Sequence, residues 1–226
     1  MGIKKQIVRL YWKVSGKIKY YRYHAGKYFS ALGNWRRGIF TGRKLKAAVH
    51  SRCVVICAHP DDETIFFSSI LKREKPFVVC VSHRGNRVRS QEFYQALEHW
   101  GVEGVMLNMP DVPGMKWVWK ACMAGKLRRI RKKLPDVTTV YTHSGHGESG
   151  HPHHYAVHRA VAKTFADCKL YTTASQMPDN GLVALSDDAV REKYEVVSGR
   201  YGSQIKMLET WCPWWKIYLN SEFFEE

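Results

Sequence analysis

The sequence predicts an α/β fold, a doubly wound and mainly parallel sheet, on three observations. Short apolar runs without alternation, such as Cys53 to Ala58 and Pro76 to Ser82, read as strands covered on both faces. Stretches of helical period separate these runs. Side chains that ligate metals or move protons gather where two of the runs end, which is where open parallel sheets place their sites. A length of 226 residues and a hydrophobic content of 45% suit one such domain with a sizeable core.

The chain starts basic. Its formal charge is +16, and residues 1 to 50 hold 13 Lys and Arg and no Asp or Glu. Ile3, Ile7, Leu10, Val14, Ile18 and Tyr21 recur at spacings of three and four, with Lys4, Lys5, Arg9, Lys13, Lys17 and Lys19 around the other side. This predicts a basic amphipathic N-terminal helix whose partner, through residues 3–32, is an anionic membrane surface. Each cation would contribute on the order of 1 kcal/mol there. The same pattern also fits a stripe packed on the domain with its basic face solvated. No run reaches the roughly 18 apolar residues needed to span a bilayer, and no apolar signal region follows the cationic start. The expected location is therefore cytoplasmic, peripheral on the cytoplasmic membrane face if the helix binds lipid. Gly33 to Ala47 has linker composition, which divides the chain into a helix and linker over 1–49 and the α/β domain over 50–226.

In that domain Cys53 to Ala58 is the first strand, and Pro60 ends it because proline has no N–H for the ladder. Glu63 to Arg73 reads as a helix burying Ile65, Phe66 and Ile70, and Pro76 to Ser82 as the second strand. A basic loop over His83 to Val88 leads to an Arg89 to Trp100 helix and a strand near Val102 to Leu107. Trp117 to Leu134 is a helix ending in the cationic run Lys126 to Lys133, which complements its dipole or faces phosphate. Strands follow at Asp136 to His143 and Lys169 to Thr173, then one long helix from Asp187 to Trp211 and an aromatic tail with Trp214 and Trp215.

The chemistry lies at the ends of the first and fourth strands. His59 and Asp62 are three apart, so a coiling chain can project both to one side as metal ligands, with the adjacent Asp61 pointing elsewhere to move a proton; from this segment alone, Asp61, Asp62 and Glu63 equally fit the acidic first turn of a helix. Six of the 11 histidines fall between 143 and 158. His151, His154 and His158 share one face of a helix starting near Pro152, and His153 should look away. Convergence of the two segments would give a His, Asp, His set with open positions, the pattern of a catalytic zinc ion. Gly145-His-Gly147-Glu-Ser-Gly150 matches a dinucleotide fingerprint, but no acidic residue ends the next strand, so these glycines read as an access loop. The six cysteines form no C-x-x-C pair, and Cys53, Cys57 and Cys80 sit in apolar strands as small hydrophobes.

Ala58-His59-Pro60-Asp61-Asp62-Glu63 and Gly150-His151-Pro152-His153-His154 together resemble the signature pair of the PIG-L or LmbE-type metal-dependent deacetylases, which remove acetyl groups from N-acetylglucosamine-type sugars. Arg89-Ser-Gln-Glu92, Asn108-Met-Pro-Asp111 and Tyr201-Gly-Ser-Gln204 are similar to further motifs of that family, and the likeness runs from about residue 50 onward. It implies a Rossmann-like, LmbE-type fold. It also implies Zn2+, or another divalent metal, on His59, Asp62 and His154, with Asp61 as general base and His151 as acid or oxyanion partner. Arg89 and Asp111 would bind substrate, an N-acetylated amino sugar carrying phosphate on a nucleotide or lipid. Position 153 is usually Asp in the family, and His153 leaves that carboxylate's place vacant. The alternatives are a non-catalytic protein of this fold bound to a membrane surface, and a nucleic-acid binder, which the absence of any recognised binding motif disfavours.

Overall fold

A computed structural model of the chain describes residues 47–111, 116–173, 182–211 and 217–225. The expected N-terminal helix over 3–32, the linker, and Trp214 and Trp215 lie outside the described residues. The elements are β1 (Cys53–Cys57), α1 (Asp62–Glu74), β2 (Phe77–Ser82), α2 (Arg87–Trp100), β3 (Gly104–Met109), α3 (Lys116–Arg131) and β4 (Thr139–Thr142). A short 3-10 turn, Glu148–Gly150, precedes α4 (Pro152–Thr164) and β5 (Lys169–Thr173). Then come β6 (Leu182–Ala184), α5 (Asp187–Arg200), α6 (Gly202–Trp211), α7 (Ile217–Asn220) and β7 (Ser221–Glu225).

The sheet order is β3-β2-β1-β4-β5-β7-β6. The first five strands are parallel, and β7 runs antiparallel to β5 and to β6. The order reverses at β1: the chain moves outward through β2 and β3, then returns to lay β4 on the other side of β1. The crevice outside the carboxyl ends of β1 and β4 is thus the topological switch point.

Alternate side chains of β1 explain why this strand is apolar without alternation. Val54, Ile56 and Ala58 face a core shared with Trp119, Met123 and Leu127 of α3 and Val157 and Val161 of α4. Cys53, Val55 and Cys57 face the other core, built with Phe66, Phe67 and Ile70 of α1, Phe93 and Leu97 of α2, and Val196 and Val197 of α5. Val54, Val55 and Ile56 are fully buried, each contributing about 1.5–3 kcal/mol by leaving water. Cys53, Cys57 and Cys80 are free, buried thiols, as their setting predicts. No helix among the described residues is long and apolar enough to cross a membrane.

Two sequence expectations need correction here. The span Asp187 to Trp211 is two helices, α5 and α6, broken at Tyr201. At the break the buried Tyr201 phenol donates a hydrogen bond to the buried carboxylate of Glu63. Beyond β5 the chain also adds two strands that the sequence did not predict. Glu222 of β7 is held beneath the surface by Ser68 Oγ at 2.6 Å, the Ser69 amide at 3.1 Å and Lys193 Nζ at 2.9 Å.

Candidate active site

The site forms where β1 and β4 release the chain. After β1, Asp61 adopts φ 133, ψ −33, an unusual conformation for a non-glycine residue that typically costs about 1–3 kcal/mol and clusters at functional sites. Its carbonyl accepts from the amides of Thr64 at 3.0 Å and Ile65 at 2.9 Å, starting α1. Asp62 folds back so that Oδ2 accepts from the His59 amide at 2.7 Å. After β4, Gly147 takes φ 68, where a Cβ would lie 2.5 Å from the carbonyl oxygen of His151, so the loop can close only on glycine. Pro152 at the first position of α4 then fixes the helix that carries His154.

These two ends bring three donor atoms together. His59 Nδ1 lies 3.3 Å from Asp62 Oδ2, His154 Nε2 lies 3.4 Å from the same oxygen, and the two nitrogens are 3.3 Å apart. A tetrahedral ion with bonds of about 2.0–2.1 Å spaces its ligands about 3.3–3.4 Å apart, so the triangle matches the face of such a coordination sphere. Burial raises the Asp62 pKa, but the surrounding histidines, His154 first, outweigh it and hold the carboxyl well below the usual range. The acceptor therefore stays ionised. The donor set and spacing fit a divalent transition metal.

Behind the triangle sits a carboxylate that sequence reasoning missed. Glu148, fully buried, accepts from Nδ1 of His154 and, at 3.0 Å, from Nδ1 of His143. Its other oxygen accepts from the Ser144 amide at 3.1 Å and from the Thr173 hydroxyl. Placing the hydrogen of His154 on Nδ1 leaves the Nε2 lone pair for a cation, the usual outer-sphere arrangement. His143 stacks on His154 with ring centroids 3.8 Å apart and accepts the Ala58 amide on Nε2 at 2.9 Å, tying β1 to β4. The available signal was Glu148 itself, an acidic side chain within the histidine-rich loop.

Asp61 lines the same cavity as the triangle without being one of its three donors. Burial, followed by the neighbouring Asp62 charge, outweighs Arg89 and pushes its pKa up to about 7. Arg89 is 4% exposed and donates through Nη2 to the Pro60 carbonyl and, at 3.4 Å, to Asp61 Oδ1. Its Nε and Nη1 have no hydrogen-bond partner among the described residues. His151 caps α4: its Nδ1 accepts from the His153 amide at 3.3 Å, which assigns its hydrogen to Nε2. Burial, then the charges of His154 and His59, push its pKa down to about 3. Asp111 accepts from His83 Nε2 at 2.9 Å and lies 3.2 Å from His153 Nδ1. His158 stays behind the site, with Nδ1 2.9 Å from the His143 carbonyl.

The expectation that His153 looks away is wrong. Its ring is buried inside the site, stacked on Trp119 at 4.0 Å with an interplanar angle of 2°, with Nδ1 3.2 Å from His59 Nε2. Helical periodicity assigned it to the opposite face, but α3 packs closely on α4 and makes that face interior too.

A cavity of about 240 Å³ opens onto this group, lined by His59, Asp61, Asp62, Arg89, Asp111, His151 and His154, with Gln204 and Leu208 of α6 on its rim. Every sequence-predicted site residue lines it.

The chain is similar to several known proteins. Residues 54–165 match the family model PIG-L, GlcNAc-PI de-N-acetylase. The N-acetylglucosaminyl-phosphatidylinositol de-N-acetylase of Bos taurus is 27% identical over 153 residues, covering 61% of this chain. The chain spans 60% of the length of that relative. Among solved structures, the A40926 pseudoaglycone deacetylase Dbv21 superposes with a TM-score of 0.58 at 16% identity, covering 73% of this chain and 86% of its own. The conserved protein TT1542 from Thermus thermophilus gives 0.53 at 19% identity, covering 77% and 93%. At such identities the likeness establishes the shared fold.

Proposed function

We propose that the protein, whose residues 54–165 match the family model PIG-L, GlcNAc-PI de-N-acetylase, is a hydrolase that removes the N-acetyl group from an N-acetylglucosamine-type sugar. The observation that carries this reading is the donor triangle of His59, Asp62 and His154 with the buried carboxyl of Asp61 beside it. The three residues would hold a zinc ion or a similar divalent metal. Such an ion, when bound, lowers the pKa of water and polarises a carbonyl.

The chain's own groups supply the rest. Asp61, with its pKa near neutrality, takes a proton from the attacking water and returns it to the departing amine nitrogen, so the carboxyl ends the cycle ionised as it began. His151 enters neutral with its hydrogen on Nε2 and donates to the oxygen that gains charge as the amide carbonyl becomes tetrahedral. Glu148 fixes the tautomer and plane of His154. Arg89 lines the cavity and places its positive charge beside Asp61, and Asp111 offers an acceptor to sugar hydroxyls. At about 240 Å³ the cavity lies just under the about 300 Å³ at which ligand clefts begin, which suits one sugar ring rather than an oligosaccharide.

The bovine relative's name supports a phosphate-bearing lipid substrate, as does the exposed Arg87 in the first turn of α2, next to the loop residues His83 and Asn86 that line the cavity. A location on the cytoplasmic face of a membrane, reached through residues 3–32, completes the proposal. The test is acetate release from N-acetylglucosamine presented free, nucleotide-linked and phosphatidylinositol-linked. Release that requires both Asp61 and His154 supports the reading; release unchanged in Asp61→Asn refutes it.

A further inference from the structure

The imidazole of His59 faces two ways. Nδ1 belongs to the triangle with Asp62 and His154, whereas Nε2 lies 3.2 Å from His153 Nδ1 and 3.9 Å from Asp111 Oδ1. His153 Nδ1 is in turn 3.2 Å from that same oxygen of Asp111. With His59 Nδ1 given to the first metal, hydrogen atoms alone cannot satisfy these three atoms. If His59 Nε2–H donates to His153 Nδ1, that nitrogen carries a lone pair and confronts the carboxylate lone pair at hydrogen-bond distance. If His153 Nδ1–H instead donates to Asp111, it meets the Nε2–H of His59 head-on, because a ring that ligates through Nδ1 keeps its hydrogen on Nε2.

A cation at the centre resolves both conflicts. We propose that His59 Nε2, His153 Nδ1 and Asp111 Oδ1 form a second transition-metal site, joined to the first through the ring of His59. The proposal rests on the reading of His59 Nδ1 as a ligand of the first site. Two edges of 3.2 Å lie near the about 3.3–3.4 Å of a tetrahedral sphere with 2.0–2.1 Å bonds. The third, at 3.9 Å, closes with a small shift of Asp111, whose side chain is 35% exposed. Two imidazoles and one carboxylate favour zinc or copper(II) over magnesium or calcium. The metal takes the place of the Nε2 proton of His59, which leaves to solvent; nothing is oxidised or reduced.

The donors are held ready. The Trp119 stack orients the His153 ring, and Trp119 is anchored by its Nε1–H to the Pro110 carbonyl at 2.7 Å. His83 Nε2 holds the other oxygen of Asp111 at 2.9 Å, leaving Oδ1 for the cation. A histidine at position 153 is what creates the site, since the carboxylate usual there would offer charge but no second imidazole. Asp111 lines the substrate cavity, so a cation on Oδ1 occupies the acceptor that a sugar hydroxyl would use. Metal in excess of one equivalent should therefore inhibit.

The test is metal stoichiometry. Full-length protein is stripped with chelator, equilibrated in a zinc buffer and analysed for zinc per chain, alongside His153→Phe, which keeps a ring on Trp119, and Asp111→Asn, which keeps the shape of a partly exposed side chain. Near-ultraviolet circular dichroism checks folding. Wild type should hold two zinc ions and each variant one. In the copper(II)-loaded wild type the paramagnetic resonance signal per copper should be attenuated by coupling through the bridging ring, and it should return to full strength in the variants. Equal zinc content in wild type and either folded variant overturns the proposal. One ion in all three leaves the first site standing, whereas none in any removes both.

Discussion

Asp61→Asn should abolish turnover yet make the metal-free protein more stable at pH 8. In the folded chain the Asp61 pKa is raised from 3.8 to about 7, by burial and then by Asp62 against the pull of Arg89. Between those values the native state keeps a proton that the unfolded chain has released, so stability falls as pH rises from about 4 to 7 and stays lowered above it. Three pKa units correspond to about 4 kcal/mol. Asparagine cannot ionise and avoids this penalty. It loses part of the contact to Arg89, which at 3.4 Å is long and contributes about 1 kcal/mol. That attraction is already contained in the raised pKa, so the net gain should be about 4 kcal/mol at pH 8, vanishing by about pH 3, where Asp61 is protonated in both states. Urea unfolding of chelator-treated wild type and variant across this range measures it directly. A variant less stable than wild type at pH 8, or a difference independent of pH, would refute the assignment of Asp61 as a buried, strained base.

His154→Ala should lose the tightly bound metal while the fold remains, shown by elemental analysis beside far-ultraviolet circular dichroism. Glu148→Gln should weaken metal affinity about 10- to 100-fold, because either orientation of the amide puts its NH2 where two of the four surrounding donors point. Isothermal titration that finds wild-type affinity would contradict the orienting role of Glu148. Lys193→Ala should cost about 3–5 kcal/mol by leaving Glu222 buried without its cation, and adding Glu222→Gln should recover part of that loss. Denaturant midpoints of the single and double variants decide it.

The parallel half of the fold was legible because β1, β2 and β4 are buried on both faces, and that environment writes itself into composition as unbroken β-branched runs. The antiparallel edge was not. β7 exists through pairing with β5 and β6 and through the Ser68, Ser69 and Lys193 contacts to Glu222, all distant in sequence. The ligand triangle was readable since three of its features are local: a strand end, a proline turn and a helix starting at Pro152. Glu148 and His143 escaped notice because their role comes from β4 lying against β1, a neighbour relation that no local spacing encodes. His153 was assigned to the wrong side by a periodicity that treats one helix face as wet, whereas Trp119 covers it.

Anomalous diffraction at the zinc edge, on crystals of the zinc-loaded full chain, tests the central claim most directly. The account predicts a peak bonded to His59 Nδ1, Asp62 Oδ2 and His154 Nε2, with the Asp61 carboxyl beside it and unbonded. A second peak on His59 Nε2, His153 and Asp111 is compatible with this, whereas the absence of a peak within bonding distance of the His59, Asp62 and His154 triangle would contradict it.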